Sequence, residues 1–177
     1  ALRNTGDAVA SVRPGIDVMI EREAVGVIGL ITPWNFPIAI PAWKLAPALA
    51  YGNAVVMKPA ELTPGCAWEL AKILHEAGCP AGIFNLVMGP GSKVGARIVE
   101  PEDIAAVSFT GSVATGRQVA VDCAARGKKV QLEMGGKNPM VVVDDADLDV
   151  AVGACLNGAF FSTGQRCTAS SLSLIHI

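Results

Sequence analysis

The chain has few charged residues, no long uninterrupted apolar run, no CxxC pair and no internal repeat, and each absence removes a class of protein. Charged residues fill 17% of the 177 positions and hydrophobic ones 51%. Intrinsic disorder is thereby excluded, because it requires low hydrophobicity and high net charge. A formal net charge of −2 and a pI near 5.7 leave no positive excess to follow a phosphate backbone, so no nucleic-acid partner is expected. The most apolar stretches, Val25 to Ile31 and Ile38 to Ala50, are punctuated by Gly29, Pro33, Pro41, Lys44 and Pro47. Neither approaches the roughly 18 unbroken apolar residues of a spanning helix, so no membrane partner is expected.

The five cysteines, Cys66, Cys79, Cys123, Cys155 and Cys167, are odd in number and widely spaced. That pattern argues against a disulfide framework or a zinc site and fits a reducing compartment. No charged segment followed by an apolar run opens the chain, so no secretory signal is read and the cytoplasm is the expected location. The mean hydropathy of +0.45 is high for a small isolated domain. Its simplest account is a piece of something larger, or a subunit whose faces partners cover.

What the sequence does contain is alternation. Short runs rich in Val and Ile (24–31, 54–58, 83–88, 104–109, 129–132 and 139–143) take turns with helical patterns. The segment from Glu69 to Ala77 puts Leu70, Ile73, Leu74 and Ala77 on one face and leaves Glu69, Lys72, His75 and Glu76 to solvent, with Gly78 and Pro80 ending it. The strands are apolar along their length, as when helices cover both faces of a parallel sheet. The expected fold is therefore α/β and doubly wound, with a mostly parallel sheet. Such sheets bind ligands beyond the carboxyl ends of their strands. There the sequence places Thr32-Pro33-Trp34-Asn35, Lys58-Pro59-Ala60-Glu61, Gly89-Pro90-Gly91, Thr110-Gly111-Ser112 and Glu133-Met134-Gly135-Gly136.

Gly89-Pro90-Gly91-Ser92-Lys93-Val94-Gly95 has the setting of a dinucleotide turn but the spacing GxGxxxG; an ordinary glycine turn is the alternative. Phe109-Thr110-Gly111-Ser112 offers a hydroxyl and backbone N–H groups at a helix N-terminus, suited to a pyrophosphate. Lys58 and Glu61 either hold ribose hydroxyls or form a surface ion pair. Cys167 lies in polar Gly164-Gln165-Arg166-Cys167-Thr168, where Arg166 favours a thiolate, whereas the other cysteines sit among small apolar residues as core cysteines do. Cys167 is the candidate nucleophile. Glu133 ends an apolar strand before two glycines, so a partly desolvated carboxyl of raised pKa is expected, against a plain solvated Glu. Asn35 either aims its amide at a developing oxyanion or serves only the turn.

Together, Thr32-Pro33-Trp34-Asn35-Phe36-Pro37, Lys58-Pro59-Ala60-Glu61, Phe109-Thr110-Gly111-Ser112, Leu132-Glu133-Met134-Gly135-Gly136-Lys137-Asn138-Pro139 and Gly164-Gln165-Arg166-Cys167-Thr168-Ala169 resemble, in order and spacing, the aldehyde dehydrogenase superfamily. The resemblance implies NAD-dependent, or NADP-dependent, oxidation of a small-molecule aldehyde to a carboxylic acid. It makes Cys167 the nucleophile, the Asn35 amide and the Cys167 backbone N–H the oxyanion donors, Glu133 the base that activates water, and Lys44 a supporting group around them. It assigns Lys58 and Glu61 to the adenosine ribose, Ser112 to the pyrophosphate, and Trp34 and Thr110 to the neighbouring pocket. Ile31, Thr32, Pro33, Gly91, Gly95, Phe109 and Gly111 complete the implied cofactor site. A carboxylate at position 61 repels a 2′-phosphate, which favours NAD. Ala39-Ile40-Pro41-Ala42-Trp43-Lys44, Gly65-Cys66-Ala67-Trp68 and Phe160-Phe161-Ser162-Thr163 resemble the α-ketoglutaric semialdehyde branch most, with succinate-semialdehyde enzymes next.

The same resemblance divides the chain into part of an oligomerisation hairpin (1–24), part of a Rossmann-like NAD(P)-binding domain (25–135) and the start of a second α/β catalytic domain (136–171). It implies a homo-oligomer. After Ser171 the family pattern continues with an Arg and an apolar strand, whereas this chain reads Leu172-Ser173-Leu174-Ile175-His176-Ile177, so residues 172–177 are expected to be a non-native tail. Two other outcomes stand beside the dehydrogenase reading. One is a fragment that binds cofactor without catalysis; the other is a cofactor-free thiol esterase, which leaves the nucleotide turns unexplained.

Overall fold

The computed structural model describes residues 6–176. The start of the expected hairpin segment, residues 1–5, and the end of the expected tail, residue 177, lie outside the described residues. In chain order the elements are β1 (Asp7–Ala10), β2 (Asp17–Ile20), β3 (Val27–Ile31), α1 (Ala39–Ala50), β4 (Ala54–Lys58), α2 (Pro64–Glu76) and β5 (Phe84–Leu86). A π-turn at Gly91–Gly95 leads into α3 (Ala96–Val99), followed by β6 (Ile104–Gly111), α4 (Val113–Ala125) and β7 (Lys129–Met134). Then come β8 (Asn138–Val142), α5 (Leu148–Phe160), a 3₁₀ turn at Phe161–Gly164 and β9 (Ser170–Ile175).

β3 to β7 form one parallel sheet in the order β5-β4-β3-β6-β7. Chain direction across the sheet reverses between β3 and β6, which opens a crevice at their carboxyl ends. Each face has its own core. Leu30, Val55 and Met57 pack on Leu45 and Ala48 of α1 and Ala67 of α2. Ile31, Val107 and Phe109 pack on Ile98 and Val99 of α3 and on Val119 and Cys123 of α4. The alternation of Leu30 and Ile31 between the two faces explains why the strand reads as apolar throughout. Each fully buried side chain of this kind contributes about 1.5–3 kcal/mol.

Gly29 sits in the middle of β3 with a strand on either side. A Cβ there would come within 2.4 Å of Ile98 Cγ2, a branch methyl on a helix that has little freedom to move. Gly29→Val is expected to cost about 1–3 kcal/mol of stability. A lower denaturant midpoint with unchanged slope is the readout.

Two elements differ from the sequence reading. α2 buries Ala67 and half-buries Leu70, Ala71 and Leu74, while Ile73 is 58% exposed and Ala77 is also exposed. The inward face is therefore rotated by part of a turn from the expected one, because the small Ala67 lets the helix approach the sheet. Its end is as read: Gly78 has φ +84°, and the N–H groups of Gly78 and Cys79 bond the carbonyls of His75 and Leu74 at 3.0 Å each, a Schellman cap. Of the cysteines read as core residues, only Cys123 is buried, whereas Cys66, Cys79 and Cys155 are half-exposed. Burial pushes the Cys123 thiol pKa up.

β8, α5 and β9 form a parallel β-α-β unit, with Asn138 opposite Ser170 and Val142 opposite Ile175. Residues 172–175, within the segment read as a tail, run as strand in this register. Asp147 caps α5 by accepting from the N–H groups of Asp149 and Val150, yet no residue of α5 is buried. The β1–β2 hairpin is antiparallel and exposed at every strand position.

Candidate active site

The crevice between β3 and β6 is an open cleft of about 760 Å³. Every residue that the resemblance assigns to the cofactor lines it, from Ile31 through Ser112. β3 delivers Thr32, Pro33 and Trp34, β4 delivers Lys58 and Glu61, and the π-turn contributes Gly91 and Gly95. α4 forms one wall with its N-terminus at Ser112, whose Oγ accepts from the Thr115 N–H at 3.2 Å. The N–H groups of the helix's first turn have no intrahelical acceptors, and the dipole there favours an anion.

The cleft fits a dinucleotide on its own chemistry. Thr32 is only 3% exposed, and its Oγ1, like that of Thr110, is buried without a partner; such hydroxyls call for a polar ligand. Lys58 is 4% exposed and donates to the Pro59 carbonyl at 2.7 Å. Burial lowers its pKa, and the Glu61 carboxylate opposes that shift. Lys58 and Glu61 form no ion pair among the described residues. Gln118 and Asp122, one helical turn apart on α4 and bonded at 3.2 Å, also line the cleft. Sequence reasoning missed them because nothing local marks the cleft face of α4.

Two smaller cavities adjoin it. One, of about 320 Å³, is lined by Trp34, Asn35, Thr110, Ser112 and Cys167 among others. The other, of about 420 Å³, is lined by Trp43, Lys44, Ser108, Thr110, Gln131, Glu133 and Cys167. Cys167 is shared by both, and Thr110 is common to all three cavities. Asn35 Nδ2 donates to the Gln165 carbonyl at 3.0 Å, so the amide is tied to the cysteine loop and its second N–H remains for another acceptor. The loop is held from the far side by Asn138, whose Nδ2 donates to the carbonyls of Cys167 and Ala169. Just before it, Ser162, Thr163 and Gly164 are successively left-handed, with φ of 54°, 56° and 68°, a costly conformation for the first two.

Two expectations are corrected here. Arg166 does not serve Cys167: its Nη2 donates to the Asn157 and Gly158 carbonyls of the last turn of α5 at 2.9 and 3.4 Å, and its guanidinium lies 4.8 Å from the Phe161 ring centre. The dipole at a helix C-terminus attracts a cation, and the Asn157 carbonyl accepts from the Phe161 N–H as well. Glu133 is exposed rather than desolvated, because β7 is an edge strand with little packed over it.

Lys44 reaches from α1 into the same cavity, where Nζ donates to Ser108 Oγ at 2.6 Å and to Gln131 Oε1 at 2.9 Å. Burial brings its pKa down from 10.5 to about 8, against the opposing pull of Glu133. The unfolded chain then holds more protons than the folded one between about pH 8 and 10.5, so stability rises with pH across that window. Lys44→Met is expected to lose that rise, seen as thermal midpoints that no longer gain on the alkaline side.

A thiol, an amide donor and a carboxylate thus stand together beside a crevice whose chemistry suits a dinucleotide. The aldehyde dehydrogenase family model matches residues 1–177, and the chain belongs to that family. It is 51% identical over 174 residues to the alpha-ketoglutaric semialdehyde dehydrogenase of Bacillus subtilis (strain 168), covering 98% of this chain and 36% of that protein. It is 52% identical over 163 residues to the alpha-ketoglutarate semialdehyde dehydrogenase of Haloferax volcanii, covering 92% and 34%. Betaine aldehyde dehydrogenase from Staphylococcus aureus, solved in complex with NAD+, matches with a TM-score of 0.90 at 41% identity, over 98% of this chain and 34% of that one. The chain spans about a third of the length of these relatives.

Proposed function

We propose that the complete protein containing this chain oxidises an aldehyde to a carboxylic acid with NAD, through a thioester on Cys167. The observation that carries the reading is Cys167 at the rim of two cavities, one shared with Asn35 and the other with Glu133 and Lys44, both joined at Thr110 to the dinucleotide cleft. In this reading the Cys167 thiolate adds to the carbonyl carbon. The second N–H of Asn35 Nδ2 and the Cys167 backbone N–H hold the oxyanion. As the thiohemiacetal collapses to a thioester, the C–H bond gives up its electron pair as hydride. The nicotinamide, when bound, supplies the hydride acceptor. Glu133 then takes a proton from water as the water oxygen attacks the thioester, and the C–S bond breaks to return the Cys167 thiolate and free the carboxylate.

Glu61 on the ribose side favours NAD over NADP by repelling a 2′-phosphate. The proposed substrate is an aldehyde with a distal carboxylate, of the α-ketoglutaric semialdehyde kind, supported by the identity to relatives of that name. Self-association through the β1–β2 hairpin is proposed for the complete protein, supported by the exposure of both strands. Among the described residues no helix is long and apolar enough to cross a membrane.

The test is NADH formation by the complete protein across a panel of aldehydes. Turnover with a semialdehyde supports the reading, and a folded, NAD-binding protein that makes no NADH with any aldehyde overturns it. For the 177-residue chain by itself a second reading is favoured by the exposure of Cys167 and Glu133: dinucleotide binding without turnover. Quenching of Trp34 fluorescence by NAD, with no NADH on adding aldehyde, is the expected result for that chain.

A further inference from the structure

We propose that Gln131 is a positioning residue that aims Glu133 at the Cys167 cavity and couples it to the charge on Lys44. The inference rests on the reading of Glu133 as the base that activates water. The parallel register sets Ser108 of β6 opposite Gln131 of β7, and Thr110 opposite Glu133. Residues two apart on a strand share a face, so all four side chains stand on one side of the sheet, where α1 brings Lys44. Gln131 Oε1 accepts from Lys44 Nζ at 2.9 Å and also from Ser108 Oγ. Gln131 Nε2 donates to Glu133 Oε1 at 2.9 Å.

The polarity of this chain is fixed by chemistry. An ammonium has only donors and a carboxylate only acceptors, so flipping the Gln131 amide would set Nε2 against Nζ and Oε1 against a carboxylate. With Oε1 occupied by two donors, Nε2 has one place to go. Its bond is the one hydrogen bond to the Glu133 carboxylate among the described residues. Without it, an exposed glutamate on an edge strand has no fixed direction, and a general base needs one. When Lys44 is protonated its bond to Oε1 is charge-assisted and holds the amide firmly; loss of that charge loosens it.

The ionisable groups facing this cavity are Lys44 from α1, Glu133 from β7 and Cys167 from the loop before β9, and β6 contributes only the hydroxyls of Ser108 and Thr110. Lys129 shares the β7 face but does not line the cavity. Burial brings the Lys44 pKa down to about 8.

The test uses the complete protein and para-nitrophenyl acetate without NAD, which isolates acylation of Cys167 and hydrolysis of the thioester. Glu133→Gln abolishes steady turnover if the base reading holds. Gln131→Met is then expected to lower kcat about tenfold, the loss of roughly one charge-assisted hydrogen bond, with KM nearly unchanged, and to abolish the fall in kcat that the wild type shows as Lys44 loses its charge above about pH 8. Ser108→Ala, which removes one of the two donors to Oε1, gives a smaller loss of kcat. A Gln131→Met profile superimposable on the wild type, beside an inactive Glu133→Gln, overturns the inference and leaves the base reading intact. A uniform loss at every pH, with the wild-type fall above about pH 8 retained, marks a structural role and also overturns it. Turnover that survives Glu133→Gln overturns both.

Discussion

Cys167→Ala is expected to abolish aldehyde-dependent NADH formation by the complete protein, by at least about 10⁴-fold in kcat, while NAD binding is unchanged. The argument is geometric. Cys167 does not line the dinucleotide cleft but borders the two smaller cavities beside it, so the substitution removes the sulfur on which the proposed adduct forms and leaves the lining of the main cleft in place. The side chain is exposed, so truncation opens no void in either core and the fold has no reason to suffer. Of the other four thiols none lines the three cavities, so none can substitute. NADH absorbance and an NAD titration on the same sample check both halves. NADH formation near the wild-type rate would remove Cys167 from the mechanism.

Asn35→Ala is expected to lower kcat by about 10²–10³-fold with a much smaller change in KM, the cost of one preorganised donor at a developing oxyanion. Asn35 leaves the end of β3 at the switch point, and its amide bonds Gln165 two residues before Cys167, so the donor and the nucleophile are built on one rigid link. The alanine variant also leaves the Gln165 carbonyl without that donor. Asn35→Asp loses the same donor, a carboxylate being acceptor-only, and in addition sets an anion against the developing oxyanion, so its kcat should fall below that of the alanine variant. Equal kcat for wild type and Asn35→Ala would reduce Asn35 to a turn residue.

Both predictions start from residues legible in the sequence, and so does most of the sheet. The Val- and Ile-rich runs coincide with β3 to β8 to within a few residues; in the central strands β3, β4 and β6 this is because a strand covered on both faces is apolar along its whole length. Gly78 announced the end of α2, since a left-handed cap is nearly a glycine property. α1 was harder to see. Pro41 and Pro47 break the pattern of a good helix, yet Pro41 falls in the first turn, where no N–H is missed, and α1 runs through Pro47, buried against β3 and β4 by Leu45 and Ala48. The inward face of α2 depended on which small residue could meet the sheet, a matter of its partners rather than of its own period.

The candidate nucleophile, oxyanion donor, base and cofactor turns could be proposed from the sequence itself, because each is a short motif whose residues are neighbours in the chain. Their supports were decided by the tertiary structure alone. Lys44 meets Ser108 and Gln131 across 64 and 87 positions, and Asn35 meets Gln165 across 130. Arg166, adjacent to Cys167 in the chain, turned out to serve α5, and Glu133, which reads as half-buried, stands exposed on an edge strand. The physical reason is common to all of them: composition and spacing fix what a residue can donate or accept, but its partner and its burial are set by strand register and by which helix lies over which face.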